Sequence, residues 1–166
     1  MDVLKQHERQ IREFLARPPF NYRNLSYEEI DIFSTALIHD SYSNETQGVS
    51  NYERLEFLGD AVLEFVACEH IFKNTDLNEG KMTDAKQNIV SNHIISEAVL
   101  ASNLGLDGLM LVGGGHVDVI TKRPIINETM RSDAFEALLA AIYLVKGIND
   151  VRKIVQHVLI PSQTRI

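Results

Sequence analysis

The sequence predicts an all-α fold, a helical bundle in which residues 1–166 form one domain. Three observations support this prediction. Apolar residues recur at helical spacing along most of the chain, and few stretches alternate apolar and polar residues as a half-buried strand does. Proline, glycine and polar runs separate the helical stretches at intervals that suit short connections. The length also matches a single domain with a core of its own.

Six segments are expected to be helical, with approximate bounds 2–17, 26–37, 50–72, 82–103, 127–146 and 149–160. The first is amphipathic and ends before Pro18 and Pro19, because proline cannot continue a helix. Ser26 and Glu29 have the spacing of the two members of a capping box and open the second segment.

A polar loop over residues 40–48 is expected before the third segment, which Ser50 and Glu53 open with a second capping-box pattern. Another loop over residues 74–80 precedes the fourth segment, which is one helix or two and has Gly105 as a stop signal just after its end.

The three-glycine run at residues 113–115 and Pro124 predict a flexible connection before the fifth segment. Gly147 is expected to end that helix, and Pro161 to follow the sixth.

The charge balance sets a condition on function. Twenty-three acidic and sixteen basic residues give a formal net charge of −7, whereas nucleic-acid-binding proteins usually carry a basic surface. RNA binding is compatible with this balance if the acids are concentrated where bound cations reverse the local charge.

Three features of the sequence bear on where in the cell the protein is located. The one cysteine, Cys68, cannot form an internal disulfide. No stretch has the roughly 20 apolar residues of a membrane span, and the N-terminal residues lack the pattern of a secretory signal. We therefore expect a cytoplasmic protein without a membrane partner.

Four carboxylates recur along the third predicted helix: Glu53, Glu56, Asp60 and Glu64. At about 100° per residue they fall within a sector of about 80°, and like charges at this spacing repel one another. The simplest interpretation of such a face is exposure to solvent. However, a solvated helix face usually mixes lysine and arginine among its acids, and this face has none.

A second acidic face lies on the fifth predicted helix, where Asp133 and Glu136 share one side with Ala137 and Ala140. Small residues beside carboxylates permit another helix to come close. Gly59 has the same effect on the third helix, although glycine costs about 1 kcal/mol in helix propensity. We therefore expect the two small-residue faces to meet.

If these faces meet, four carboxylates converge: Glu56, Asp60, Asp133 and Glu136. Converging carboxylates supply the hard oxygen ligands that Mg²⁺ prefers. A bound divalent ion can activate water and neutralise the charge that develops on a phosphate. The predicted chemistry is therefore metal-assisted hydrolysis of a phosphodiester.

The acidic helices resemble the ribonuclease III family. The segment ERLEFLGDAVL at 53–63 is similar to the family's signature nearly residue for residue. Further segments that resemble family motifs, in the same order, are ALIHDSY at 36–42, GKMTDAKQNIVSN at 80–92, LGL at 104–106, the glycine run at 113–115 and DAFEAL at 133–138. The resemblance covers roughly residues 25–160.

This resemblance implies the all-α endonuclease domain of ribonuclease III, which cleaves double-stranded RNA in RNA processing. The catalytic and metal-binding residues would be Glu56, Asp60, Asp133 and Glu136, holding Mg²⁺ or, in its place, Mn²⁺. Glu53 also matches a signature acid, but its role stays open.

The resemblance also implies a homodimer about a two-fold axis, because Phe57 matches the aromatic residue that enters the partner subunit in this family. Each subunit would cut one strand and leave 5′-phosphate and 3′-hydroxyl ends. Recognition would depend on the shape, 2′-hydroxyls and phosphates of the duplex rather than on base edges.

Five basic residues near the acidic helices are candidate contacts for RNA phosphates: Lys81, Lys86, Lys122, Arg123 and Arg131. Most individual lysine and arginine side chains are simply solvated, so the prediction concerns the group and its salt dependence. Larger bacterial members of the family carry a C-terminal double-stranded RNA-binding domain, which we do not expect within residues 1–166, whether these are a short form or part of a longer protein. A separate RNA-binding domain or an accessory protein is therefore a further expected partner.

Two other functions stay open. A domain that keeps the fold but only scaffolds RNA would be expected to lose one of the four metal carboxylates, and all four are present. His39 and Asp40 could instead belong to a helical HD-type phosphohydrolase, although such a site needs further His and Asp ligands. The simpler interpretation of His39 is a packed or hydrogen-bonded histidine near the site entrance.

Overall fold

The computed structural model describes residues 2–160, and this part of the chain is helical, as predicted. Its α-helices are α1 (Val3–Leu15), α2 (Tyr27–Thr35), α3 (Asp40–Glu45), α4 (Glu53–Asn74), α5 (Glu79–Val90), α6 (Asn92–Ala101), α7 (Glu128–Lys146) and α8 (Ile148–Val158). Two 3₁₀ turns lie at Leu106–Leu109 and Gly114–His116. Residues 2–160 contain isolated β-bridges but no strand. None of these helices combines the length and apolar character that a membrane span needs.

Helix α7 lies at the centre of the domain. From Met130 to Ile142 every residue except Asp133 is buried, and α7 packs against α2, α4, α6 and α8. Phe135 and Leu138 are among the largest fully buried side chains. Burial of each such side chain contributes roughly 1.5–3 kcal/mol, so the core holds this helix on several sides.

The close packing of α4 on α7 depends on Gly59. A Cβ atom added at Gly59 would lie 1.8 Å from the carbonyl oxygen of Glu136 and 3.2 Å from the backbone nitrogen of Ala137. No side chain fits in that space, so α4 reaches the backbone of α7 only because residue 59 is glycine. The expected meeting of the two small-residue faces is confirmed.

The starts of α2 and α5 follow from local capping. The Ser26 hydroxyl accepts from the backbone N–H of Glu29 at 3.2 Å, and the backbone N–H of Ser26 donates to the Glu29 carboxylate at 2.8 Å. The predicted capping box is therefore confirmed. Helix α5 begins at Glu79, inside the predicted loop over 74–80, because the Asn78 side chain caps it by accepting from the Lys81 N–H at 3.0 Å.

The second predicted capping box is wrong. Helix α4 begins at Glu53 rather than near Ser50, and its N-cap is Tyr52, whose side chain makes no capping hydrogen bond. The Tyr52 N–H donates to the carbonyl of Ile38 at 2.9 Å, which ties residue 52 to the chain before α3. The side chain of Asn51 instead accepts from the Glu53 N–H at 3.1 Å.

The predicted loop over residues 40–48 contains helix α3, which is held by the glycine run. The Gly113 N–H donates to the Ser41 hydroxyl at 2.8 Å, and the Gly114 N–H donates to the Glu45 carboxylate at 3.0 and 3.1 Å. A Cβ at Gly113 would lie 2.7 Å from the Ser41 carbonyl oxygen. The expected connection therefore contains a 3₁₀ turn at Gly114–His116, and Gly113 at its start is packed against α3.

Candidate active site

Three carboxylates converge where α4 crosses α7. One oxygen each from Glu56, Asp133 and Glu136 can lie within 4.8 Å of the other two, a spacing at which a single metal ion could be held. Glu136 is 5% exposed, and the other two are partly exposed. The backbone contact at Gly59 brings these acids together, because it seats α4 directly against the turn of α7 that carries Glu136.

The surroundings of these acids oppose their ionisation. The pKa of Glu136 is raised to about 8, first by burial and then by the negative charges of Asp60 and Asp133. Burial also raises the pKa of Asp133 to about 6, with a further contribution from Glu56. The pKa of Glu56 is raised by burial and by the charges of Asp60 and Glu53. The site therefore favours a proton or another cation.

The donor set fits a divalent metal ion. Among residues 2–160, no lysine, arginine or histidine forms an ion pair with Glu56, Asp133 or Glu136. Carboxylate oxygens are the ligands that Mg²⁺ and Mn²⁺ prefer, and Mg²⁺ usually keeps several waters in addition. A divalent ion would supply the positive charge that neighbouring side chains do not.

The remaining acids of the α4 face lie around this group of three. Asp60 is exposed and is not among the three carboxylates within 4.8 Å, but its charge raises the pKa of both Glu56 and Glu136. Glu53 is exposed at the first turn of α4. Glu64 accepts a hydrogen bond from the Lys86 ammonium at 3.1 Å, so α5 supplies a cation that the α4 face itself lacks.

Tyr52 adjoins the acids and was not singled out from the sequence. Its side chain is buried, and its pKa is raised by burial and then by the charges of Asp133 and Asp40. The ring of His39 meets it edge-on, with 5.7 Å between ring centroids. The only sequence signal was the position of this tyrosine directly before the first signature acid.

His39 is hydrogen-bonded beside the site, as the simpler interpretation expected. Its Nδ1 lies 2.7 Å from the Ser41 hydroxyl and 2.9 Å from the Asp40 carboxylate, and its ring meets that of His116 at 5.3 Å. Neither His39 nor Asp40 belongs to the metal-binding group found among residues 2–160. The arrangement therefore gives no support to an HD-type centre.

The candidate phosphate-binding residues divide into different environments. Lys81, Lys122 and Arg123 are exposed. The Lys86 side chain is 20% exposed and paired with Glu64, so a phosphate would have to compete with that carboxylate. Lys81, Lys122 and Arg123 are therefore accessible to a ligand without rearrangement of the protein.

Arg131 requires a correction. It is 8% exposed, and its guanidinium donates to Asp107, to the Ser96 hydroxyl and to a backbone carbonyl. Because these partners occupy its donors inside the domain, Arg131 is not a surface phosphate contact. Residue spacing puts Arg131 on the side of α7 away from the acids but does not reveal its buried contact with Asp107.

Large apolar side chains are exposed along α4. Phe57, Phe65 and Phe72 are 82%, 52% and 73% exposed. A groove of about 400 Å³ lies on the same helix, and its apolar lining residues are Leu58, Ala61, Val62, Phe65, Tyr143 and Ile148. Exposed apolar patches of this kind mark interaction surfaces. Entry of Phe57 into a partner subunit stays a prediction.

Comparison with known proteins identifies relatives over most of the chain. The family model described as ribonuclease-III-like matches residues 29–163. Ribonuclease 3 of Ureaplasma parvum serovar 3 is 37% identical over 156 residues, which cover 89% of this chain and 62% of that protein. Ribonuclease 3 of Staphylococcus aureus is 36% identical over 140 residues, which cover 82% of this chain and 55% of that protein. The chain thus spans only a little over half the length of these relatives.

A solved structure has the same fold. The nuclease domain of ribonuclease III from Campylobacter jejuni superposes with a TM-score of 0.67 and 26% sequence identity, covering 98% of this chain and 99% of that one. That structure is described as showing flexibility in a region involved in dimer formation. The similarity therefore extends over the whole of the nuclease domain.

Proposed function

Because the chain belongs to the ribonuclease-III-like family, we propose that it is an endoribonuclease that hydrolyses double-stranded RNA with the help of Mg²⁺. The observation that carries the proposal is the convergence of Glu56, Asp133 and Glu136 within 4.8 Å. Asp60, whose charge acts on two of these acids, completes the proposed set of four. The three converging acids are among the four that the resemblance indicated, and Asp60 is the fourth.

The proposed reaction joins a water oxygen to phosphorus and breaks the bond between phosphorus and O3′. The water proton ends on O3′, which gives 3′-hydroxyl and 5′-phosphate ends. A divalent ion held among these acids would supply an activated water and a counter-charge for the phosphate. Glu56 and Asp133 would hold that ion together with Glu136, whose pKa of about 8 in the metal-free site means that it would have to lose its proton to bind as a carboxylate.

The exposed cations support contact with the RNA backbone. Lys122 and Arg123 lie in a turn that is fixed by the Asp118 N–H donating to the Arg123 carbonyl at 2.9 Å. Lys81 lies in the first turn of α5. Since the net charge is −7, we expect these few contacts to give weak binding with a shallow salt dependence. A separate RNA-binding domain or an accessory protein would add affinity.

A homodimer is part of the proposal. Two copies related by a two-fold axis would place two acidic centres on one duplex, so that each copy cuts one strand. The exposed α4 surface with Phe57 at its N-terminal end supports such an isologous contact. An aromatic side chain that becomes buried in an interface usually contributes a large share of the binding free energy.

The test uses a long RNA duplex incubated with the chain, with and without Mg²⁺. We expect the parent to produce 5′-phosphate ends, and Glu136→Gln to bind the duplex but cleave it at least about 100-fold more slowly, because several kcal/mol of charge stabilisation are lost. Glu13→Gln, at an exposed residue of α1, is the matched control and should cleave like the parent. Undiminished cleavage by Glu136→Gln would contradict the assignment of the site.

The same assay separates the scaffold hypothesis from the enzyme hypothesis. A scaffold would retain duplex binding in the parent without producing new ends at any Mg²⁺ concentration. An HD-type enzyme would be tested in a separate assay. It would hydrolyse a small phosphate ester, and His39→Ala would abolish that phosphatase activity.

A further inference from the structure

Arg131 lies on the side of α7 that faces away from the acidic centre. At about 100° per residue it stands about 160° around the helix axis from Asp133 and about 140° from Glu136. It is 8% exposed. A buried cation at this position does not touch the metal site, so any effect on the acids must pass through the helix.

The guanidinium of Arg131 joins three other segments to α7. Its Nε and Nη2 donate to the two carboxylate oxygens of Asp107 at 2.8 and 2.6 Å, a bidentate pair. Its Nη1 donates to the Ser96 hydroxyl in α6 at 2.7 Å, and Nη2 also donates to the Ile126 carbonyl at 3.3 Å. Four bonds therefore fix one planar group.

The groups that accept from Arg131 are themselves anchored. The 3₁₀ turn that carries Asp107 ends at Leu109, whose carbonyl accepts from Nε2 of His7 at 2.8 Å. His7 is 1% exposed. Helix α6 is joined to α7 again by the Ser132 hydroxyl, which lies 3.1 Å from the Asn92 side-chain oxygen. The four hydrogen bonds of Arg131, which we call the clamp, therefore connect α7 to segments that are themselves held by the rest of the domain.

On the opposite side of α7, the close contact of Gly59 in α4 with the backbone at Glu136 also restricts the position of the helix. We propose that Arg131 is a positioning residue, which fixes the rotation of α7 about its axis and so holds Asp133 and Glu136 at coordination distance from Glu56. The inference rests on the proposed metal-binding function of that centre.

The geometry makes the centre sensitive to helix rotation. A carboxylate about 5–6 Å from the helix axis moves by about 1 Å when the helix turns by about 10°. A displacement of about 1 Å is enough to impair a catalytic or coordinating group severely. Lysine would not replace the clamp, because a single ammonium cannot form the bidentate fork.

The test measures Mn²⁺ affinity and the urea midpoint on the same proteins. The double variant Arg131→Met with Asp107→Leu removes both charges together, so that neither charge is left unpaired at a site where the Arg131 side chain is 9% and the Asp107 side chain 34% exposed. We expect a urea midpoint close to that of the parent and a Kd for Mn²⁺ about tenfold higher or more, as for residues that orient metal ligands. A purely structural role would lower the midpoint and leave the Kd of the folded protein unchanged.

The matched control is a second bidentate pair, Arg152 with Glu69, whose contacts are 2.7 and 3.0 Å and which joins α8 to α4. Arg152→Met with Glu69→Leu should leave the Kd for Mn²⁺ within about twofold of the parent value.

Each outcome decides the question. An unchanged Kd in the Arg131 double variant, with Mn²⁺ bound by the parent, overturns this inference alone. A parent that binds no Mn²⁺ overturns the proposed function as well. If the double variant does not fold, Ser96→Ala removes one acceptor of the clamp with a smaller loss of stability. The clamp then predicts a Kd raised about two- to threefold, and parent-like affinity would refute it.

Discussion

Glu136 shows how a single residue couples packing to chemistry. Its carboxylate is held beside other acids in a position that is 5% exposed, and its pKa is raised to about 8 mainly by burial. A carboxyl that keeps its proton near neutral pH can exchange that proton for a divalent ion, which also relieves the repulsion from its neighbours. The arrangement is unfavourable without a cation and favourable with one.

The raised pKa of Glu136 predicts how the free energy of unfolding of the metal-free domain depends on pH. Below a pH of about 4.5 the Glu136 carboxyl is protonated in both the folded and the unfolded state. Between about 4.5 and about 8 the unfolded state loses its proton while the folded state keeps it, so stability falls as pH rises, by an amount on the order of a few kcal/mol. Urea denaturation in a chelator across this range measures the slope.

Glu136→Gln is the control for this pH dependence, because the amide does not titrate. Its stability should fall less between pH 4.5 and 8 than that of the parent. Asp133 should leave a smaller residual slope between its ordinary value of 3.8 and about 6. Equal slopes in parent and variant would refute the protonation of Glu136 in the folded domain.

The sequence predicted that Glu56, Asp133 and Glu136 would converge, but it did not predict every residue around them. The acids Glu56, Asp133 and Glu136 could be placed because helical spacing determines which side of a helix each occupies. Arg131 could not, since its partner Asp107 lies 24 residues away and spacing does not reveal a tertiary contact. Tyr52 was missed for the same reason.

At the scale of helices, the crossing of α4 and α7 depends on one missing side chain. We expect Gly59→Ala to destabilise the domain by about 1–3 kcal/mol or more, because the new Cβ would lie 1.8 Å from the Glu136 carbonyl oxygen and the helices must separate. The same separation should weaken Mn²⁺ binding. Urea denaturation and Mn²⁺ titration measure the two effects.

Gly80→Ala is the matched control for Gly59→Ala. Gly80 also lies in a helix, but the nearest heavy atom to its added Cβ is 3.8 Å away, on the Asn78 side chain. Alanine should be neutral there or stabilising by up to about 1 kcal/mol. If both variants lost the same stability, close packing at Gly59 would not be the cause.

Helices with strong local signals were predicted, and those formed by distant contacts were not. The capping box at Ser26 and Glu29 lies within four residues, so the sequence alone reveals it. Helix α3 depends on the glycine run about 70 residues away, and the start of α4 depends on the Ile38 carbonyl. Local patterns therefore could not locate either one.

At the scale of the whole molecule, the apolar surface of α4 bears on assembly. We expect the parent to sediment as a dimer at micromolar concentration, and Phe57→Ala to shift it towards monomer. Because Phe57 is 82% exposed, its truncation should change the stability of the single domain by no more than about 0.5 kcal/mol. Sedimentation velocity measures the association.

Tyr27→Ala is the control for the dimer prediction, since Tyr27 is 81% exposed on α2. It removes an aromatic side chain of similar size and exposure from a different surface and should leave the dimer intact. A parent that sediments as a monomer would contradict the proposed assembly.

The proposed function depends most on the meeting of two acidic helix faces around a divalent ion. The most direct measurement is an anomalous difference map from a crystal of the protein grown with Mn²⁺. We expect a peak about 2.0–2.2 Å from carboxylate oxygens of Glu56, Asp133 and Glu136. A map without a peak among these three residues, at an Mn²⁺ concentration that supports cleavage, would contradict it.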